Sequence, residues 1–147
     1  MRDMGKFFCR KNILIVAFSI LVSASWGQNL EKKIRFKTLS VTEGLCHPFV
    51  YNINQDKNGF LWIGTGEGLC RYDGVDFIAS PGMDSLPVDV VNVSFRDNLG
   101  KLWFGYSNGQ VWSYDGLVFT RHQFPEAINT SIVGFAQSEV DGILIAT

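Results

Sequence analysis

The only imidazoles in the chain are His47 and His122, and the cysteines beyond the first dozen residues are Cys46 and Cys70. A general base needs a partner within hydrogen-bond reach. Neither histidine stands in a pattern that supplies one. His47 precedes Pro48 in a loop, and His122 ends Phe119-Thr120-Arg121-His122, which reads as an outer strand. Both are expected on the surface. No phosphate-cradling loop, metal-ligand cluster or nucleophile motif occurs. The chain is therefore expected to have no catalytic residue, no metal and no cofactor, and not to be an enzyme. What is left is recognition. Aromatic platforms and planar polar groups serve recognition, and Trp112, Tyr51, Tyr106 and Arg71 are the candidate ligand-binding residues by type. Asn52 and Asn54 are further polar groups on an alternating strand, whose inward parity stays open.

The elements that would position these residues come from a repeat. Asp56, Gly59, Leu61, Trp62, Gly64 and Gly68 recur 41 residues later as Asp97, Gly100, Leu102, Trp103, Gly105 and Gly109. Tyr72-Asp73-Gly74 and Phe77 recur at an offset of 42 as Tyr114-Asp115-Gly116 and Phe119. A third copy starts at Ile132; its Gly142 lies 42 after Gly100, and its tryptophan is lost. Trp112 falls where the first copy has Cys70, so it lies outside the repeated pattern. That makes it the first choice for a role of its own.

Strand-like alternation fills each copy: Tyr51 and Ile53 against Asn52 and Asn54, then Val91, Val93 and Phe95 against Asn92, Ser94 and Arg96. The first copy reads as four strands, about 49–55, 60–65, 69–72 and 75–78. Asp56 to Gly59 is a four-residue turn capped by the aspartate. Gly66-Glu67-Gly68 is a flexible connection, and Asp73-Gly74 is a two-residue hairpin signal of type I′. Four antiparallel strands in about 41 residues make one blade of a β-propeller. The fold class is all-β, with about two and a half blades. Trp62 and Trp103 are expected to fill the space between blades, and Gly64 and Gly105 to allow close sheet-on-sheet approach. Residues 49–80 form blade 1, 88–124 blade 2 and 130–147 a partial blade 3. Residues 28–48 supply a leading outer strand, from the alternation around Ile34 and Phe36, and a loop.

Residues 1–27 have the three parts of a secretory signal: basic Arg2, Lys6, Arg10 and Lys11, an apolar run from Ile13 to Val22, and small residues up to Gly27. Ten helical residues rise about 15 Å, half of a bilayer core, so an uncleaved anchor is the lesser reading. Removing the segment takes four of 13 basic and one of 14 acidic residues, leaving −4. That balance disfavours nucleic acid and anionic membranes. A composition 46% hydrophobic and 14% aromatic also excludes a disordered tail. Export would permit a Cys46–Cys70 disulfide, but two separate buried thiols is the expectation preferred here.

Gly44-Leu45, Asp56, Gly59, Leu61-Trp62-Ile63-Gly64-Thr65, Gly68-Leu69, Arg71-Tyr72-Asp73-Gly74 and Phe77 together resemble the two-component regulator propeller repeat. The second copy departs from it with Tyr106, Val111 and Ser113. The resemblance implies the periplasmic sensor region of a hybrid histidine kinase, with oligosaccharide as ligand. The kinase and any membrane helix would lie outside this sequence. It also implies partners in the remaining blades of the same propeller. Sialidase-type Asp boxes are set aside, because they place tryptophan five residues after aspartate and here the spacing is six. Propeller lyases, a secreted interaction protein and a truncated remnant are the alternatives. Closed propellers hold four to eight blades, so the chain is expected to be the first part of a longer protein or an assembling unit. Its open blade face would then favour aggregation.

Overall fold

The computed structural model describes residues 34–78, 82–140 and 142–147. The proposed signal segment and the start of the leading strand lie outside the described residues. The chain divides into two units, 1–37 and 38–147. Of the first, only 34–37 are described, and these join no strand. Neither do residues 38–40, so the described part of the leading segment joins no sheet. Among the described residues, no helix is long and apolar enough to cross a membrane.

The second unit is built of antiparallel sheets. Strands β1 (Val50–Gln55), β2 (Leu61–Thr65) and β3 (Gly68–Tyr72) form the first, in that order. Strands β4 (Val91–Arg96), β5 (Leu102–Tyr106), β6 (Val111–Tyr114) and β7 (Phe119–His122) form the second, and β8 (Gly134–Ser138) with β9 (Gly142–Ala146) the third. Within each sheet the strands pair in chain order, and β4 lies beside both β1 and β8. The β1, β4 and β8 strands are thus the inner strands of successive blades.

Blade 1 keeps only a trace of its expected fourth strand, a Tyr72–Phe77 bridge and an Ile78 N–H donated to the Arg71 carbonyl at 2.9 Å. The hairpin before it also differs from expectation. The Asp73 N–H bonds the Asp76 carbonyl, and the Asp115 N–H the Val118 carbonyl, so the turn residues are Gly74-Val75 and Gly116-Leu117. Only glycines have positive φ among the described residues, Gly74 at 104° and Gly116 at 101°. A type I′ turn needs two such residues; one glycine at the first position is the II′ pattern. The aspartates instead cap the turn. Each carboxylate accepts two backbone N–H groups, which hold both carboxyls below their ordinary pKa.

The motif aspartates do more than cap. Asp56 Oδ1 accepts from the N–H groups of Asn58 and Phe60, and Oδ2 accepts from the Trp62 indole at 2.9 Å. Asp97 repeats this with Leu99, Lys101 and Trp103. The six-residue spacing is what carries the indole from β2 back to the turn. Trp62 is 0% exposed, and its ring meets Phe104, Tyr114 and Phe119 of blade 2. It is therefore an inter-blade filler. Gly64 leaves room for the Asn52 side chain, and Gly105 for Ile132, whose Cγ2 would lie 2.5 Å from an added Cβ.

Cys46 and Cys70 are not separate thiols. They are joined as a disulfide with Cα atoms 5.9 Å apart, inside the bridging range. The physical reason is the position of Leu45, which packs with Ile63, Cys70 and Tyr72 on one face of blade 1. That brings the next residue over β3.

Candidate functional site

A depression lies at the end of blade 2 where β6 begins and β7 ends. It holds about 420 Å³. Its walls are the turn Asn108–Gln110, the end of β7 with Arg121 and His122, and the loop from Gln123 to Asn129. The turn is fixed by Tyr106 N–H to Gln110 carbonyl at 3.0 Å, and by Asn108 Oδ1 accepting from the Gln110 N–H. Gly109 has φ 81°, and a Cβ there would overlap the Ile128 carbonyl, so the loop rests directly on the glycine backbone. Ser131 Oγ donates to the Ser107 carbonyl and Ile132 N–H to that of Tyr106. The far wall is thereby tied to the near one.

Two lining side chains are held from behind. The Trp112 indole donates to Gln110 Oε1 at 3.1 Å, which leaves the amide nitrogen as the donor a ligand can meet. His122 Nε2 lies 2.9 Å from Ser113 Oγ, and its ring stacks on Trp103 at 4.7 Å. Burial first, and the Lys101 charge second, lower the His122 pKa below its ordinary 6.5. A serine–histidine contact of this length resembles an activated nucleophile, but Ser113 is 2% exposed, too deep in the sheet to reach a substrate.

The pKa shift has a testable sign. Well above pH 6.5, His122 is neutral folded and unfolded and contributes nothing to pH dependence. As pH falls below 6.5 the unfolded state takes up the proton first, and stability drops until the lowered folded pKa is reached. The melting temperature of the wild type should therefore fall more steeply from pH 7 to 5 than that of His122→Gln. Parallel profiles would contradict this.

The four candidates named from sequence do not converge. Tyr51 is exposed on β1. Arg71 is half-buried, its guanidinium 3.7 Å from the Phe60 ring centroid and 5.7 Å from that of Trp62, so it packs within its own blade. Tyr106 is a correction: it is buried among Val91, Leu102 and Phe104 rather than presented to a ligand. That burial, with the charge of Asp89, pushes its phenol pKa well up. Trp112 stands behind the cleft and positions Gln110. Asn52 and Asn54 reach the next inner strand, donating to the Val91 carbonyl at 2.7 Å and to Ser94 Oγ at 2.6 Å. Arg121 and His122 were read only as the end of an outer strand, and the cleft residues Glu126 to Asn129 were missed because they lie between repeats. The polar run Arg121-His122-Gln123 before Phe124-Pro125 was the available signal.

Residues 44–67 match the family model described as two component regulator propeller. Residues 44–67 thus carry the two-component regulator propeller repeat. The chain is 36% identical over 77 residues to Histidine kinase P4 of Formosa agariphila, a match covering 52% of this chain and 5% of that protein. Its structure resembles the extracellular domain of a protein assigned to the hybrid two component systems of B. thetaiotaomicron, with TM-score 0.64 and 21% identity. That likeness covers 80% of this chain and 17% of the other, and at this identity it speaks for the propeller fold alone. The repeat's Asp–Trp pairs thus build the blades, and the cleft lies in loops between them.

Proposed function

We propose that the chain is part of an exported, periplasmic propeller sensor. Its blade 2 cleft binds an oligosaccharide, and occupancy is passed to a histidine kinase. The observation that carries this reading is the cleft itself. Amide groups from Asn108, Gln110, Gln123 and Asn129, the charges of Arg121 and Glu126, and the Phe124 ring converge on one depression. Planar polar groups around an aromatic face suit a ligand with many hydroxyls and one apolar side. The kinase connection is supported by the repeat family and by the relative's name. The segment 1–27 supports export. The module is read as acting by binding, and the Ser113 hydroxyl beside His122 is buried.

The test is a screen of the purified chain against neutral and acidic oligosaccharides, followed by calorimetry. Arg121→Ala is expected to weaken a hit at least about tenfold, the scale of a charged hydrogen bond. No hit in either class, or a hit indifferent to Arg121→Ala, would overturn the assignment.

A further inference from the structure

The strand register locates the extra residue that lengthens the second copy of the repeat. Gly64 pairs with Leu69 in blade 1, and its counterpart Gly105 pairs with Val111 in blade 2. Val111 thus stands for Leu69 and Gly109 for Gly68, so Gln110 is the inserted residue and has no counterpart in blade 1. Asn108 stands where blade 1 has Glu67, and Trp112 where it has Cys70. The near wall of the cleft is therefore particular to blade 2.

The bonds that hold this turn also decide what it can offer a ligand. Asn108 Oδ1 accepts from the Gln110 N–H at 3.1 Å, and Gln110 Oε1 accepts from the Trp112 indole at 3.1 Å. An N–H group can meet only the oxygen of an amide, so neither side chain can turn over without losing its bond. Each is left with its NH2 group for other partners. Arg121 adds a guanidinium, which is donor only. It is the cross-strand partner of Trp112, so the Gln110 amide and the Arg121 guanidinium flank one indole. Arg121 and Asn108 are exposed, Gln110 is half-buried, and all three line the cleft. The facing loop brings Glu126, whose carboxylate accepts.

A sugar hydroxyl both donates and accepts, so a hydroxyl set among these three donors leaves its own proton unmet. A carboxylate or a sulfate ester is all acceptor, and its bonds to amides and a guanidinium are charge-assisted. We infer that Asn108, Gln110 and Arg121 form an anion subsite that takes the carboxylate or sulfate ester of an acidic oligosaccharide, and that Trp112 is the positioning residue that keeps the Gln110 amide donor-first. The inference rests on the cleft being an oligosaccharide site and adds the class that enters it. Glu126 then accepts from hydroxyls of the same sugar, and its charge opposes the reverse orientation.

The test titrates glucuronate, glucose 6-sulfate and glucose separately into the nitrogen-15-labelled chain and follows the side-chain NH2 signals of Asn108 and Gln110. At least one of the two acids is expected to shift both signals saturably, and glucose to shift neither. The tighter acid tells a carboxylate subsite from a sulfate one. Equal shifts with glucose overturn the anion subsite while leaving the cleft a sugar site. No shift with any of the three also overturns the subsite, and the oligosaccharide screen then decides the cleft reading by itself. Gln110→Glu keeps the length of the side chain and puts an acceptor in place of the donor. Affinity for the acid should fall roughly tenfold or more, and unchanged affinity overturns the subsite. Trp112→Phe keeps a ring and removes the indole N–H, which frees the amide to turn, so acid affinity should fall several-fold. In the Gln110→Glu background the same change should cost little more, because the amide it positions is gone. Equal losses in both backgrounds would make the indole a packing group and overturn its positioning role.

Discussion

Trp62→Ala is expected to destabilise the chain by about 3–5 kcal/mol, the range for deleting a buried large aromatic side chain. The indole is fully buried and touches three rings of the next blade, so its loss empties the junction instead of trimming an edge. It also takes one of three donors from the buried Asp56 carboxylate. A domain of this size has about 5–15 kcal/mol to lose, so much of the folded population goes with it. Trp103 has the same tether to Asp97 but is only half-buried. Trp103→Ala should cost clearly less. Urea melts of both variants followed by far-ultraviolet circular dichroism decide the matter. Equal losses would show that the aspartate tether, and not burial between blades, gives these tryptophans their weight.

The second large effect is expected at Gly109→Ala. A left-handed conformation costs a non-glycine residue about 1–2 kcal/mol, and here a Cβ also meets the backbone carbonyl of Ile128, which cannot rotate away. Gly74 provides the control, since its φ is 104° and nothing lies within 4 Å of an added Cβ. Gly74→Ala therefore measures strain alone. Gly109→Ala should lower the melting temperature further than Gly74→Ala and speed amide exchange over 128–132, because the loop must lift off the turn. The same displacement opens the cleft, so any ligand should bind the variant more weakly. Matching melting temperatures for the two variants would mean that the loop is not seated on Gly109.

What could be read from the sequence, and what could not, divides along the repeat. The 41-residue spacing of Asp56, Trp62 and Gly64 with Asp97, Trp103 and Gly105 announced antiparallel blades, because turn glycines and core tryptophans must recur wherever the sheet recurs. The indole–carboxylate bond was hidden in that spacing, since six residues along a chain say nothing of distance until the turn is folded. The Cys46–Cys70 bridge was misjudged because Cys46 has no counterpart in the second copy and its approach depends on where Leu45 packs. The hairpin at Gly74 was mistyped because Asp-Gly fits two turn families, and only the pairing of Asp73 with Asp76 separates them. The cleft was the least legible part. Its residues from 123 to 129 belong to a loop without periodicity, and what makes them a site is the closeness of Ile128 to Gly109, a contact across 19 positions.

The pairing of strands with their sequence neighbours inside each sheet bears on how the molecule acquires its shape. No ladder among the described strands waits for a distant segment, since β1 to β3, β4 to β7 and β8 to β9 each pair in chain order. Loop closure is therefore short for an all-β protein, and short closures fold fast. Each blade can form as soon as its own forty or so residues are free, with the Asp–Trp tether locking its first hairpin before the next blade exists. Assembly should then proceed as a zipper from blade to blade, the slow step being the seating of one sheet on the next.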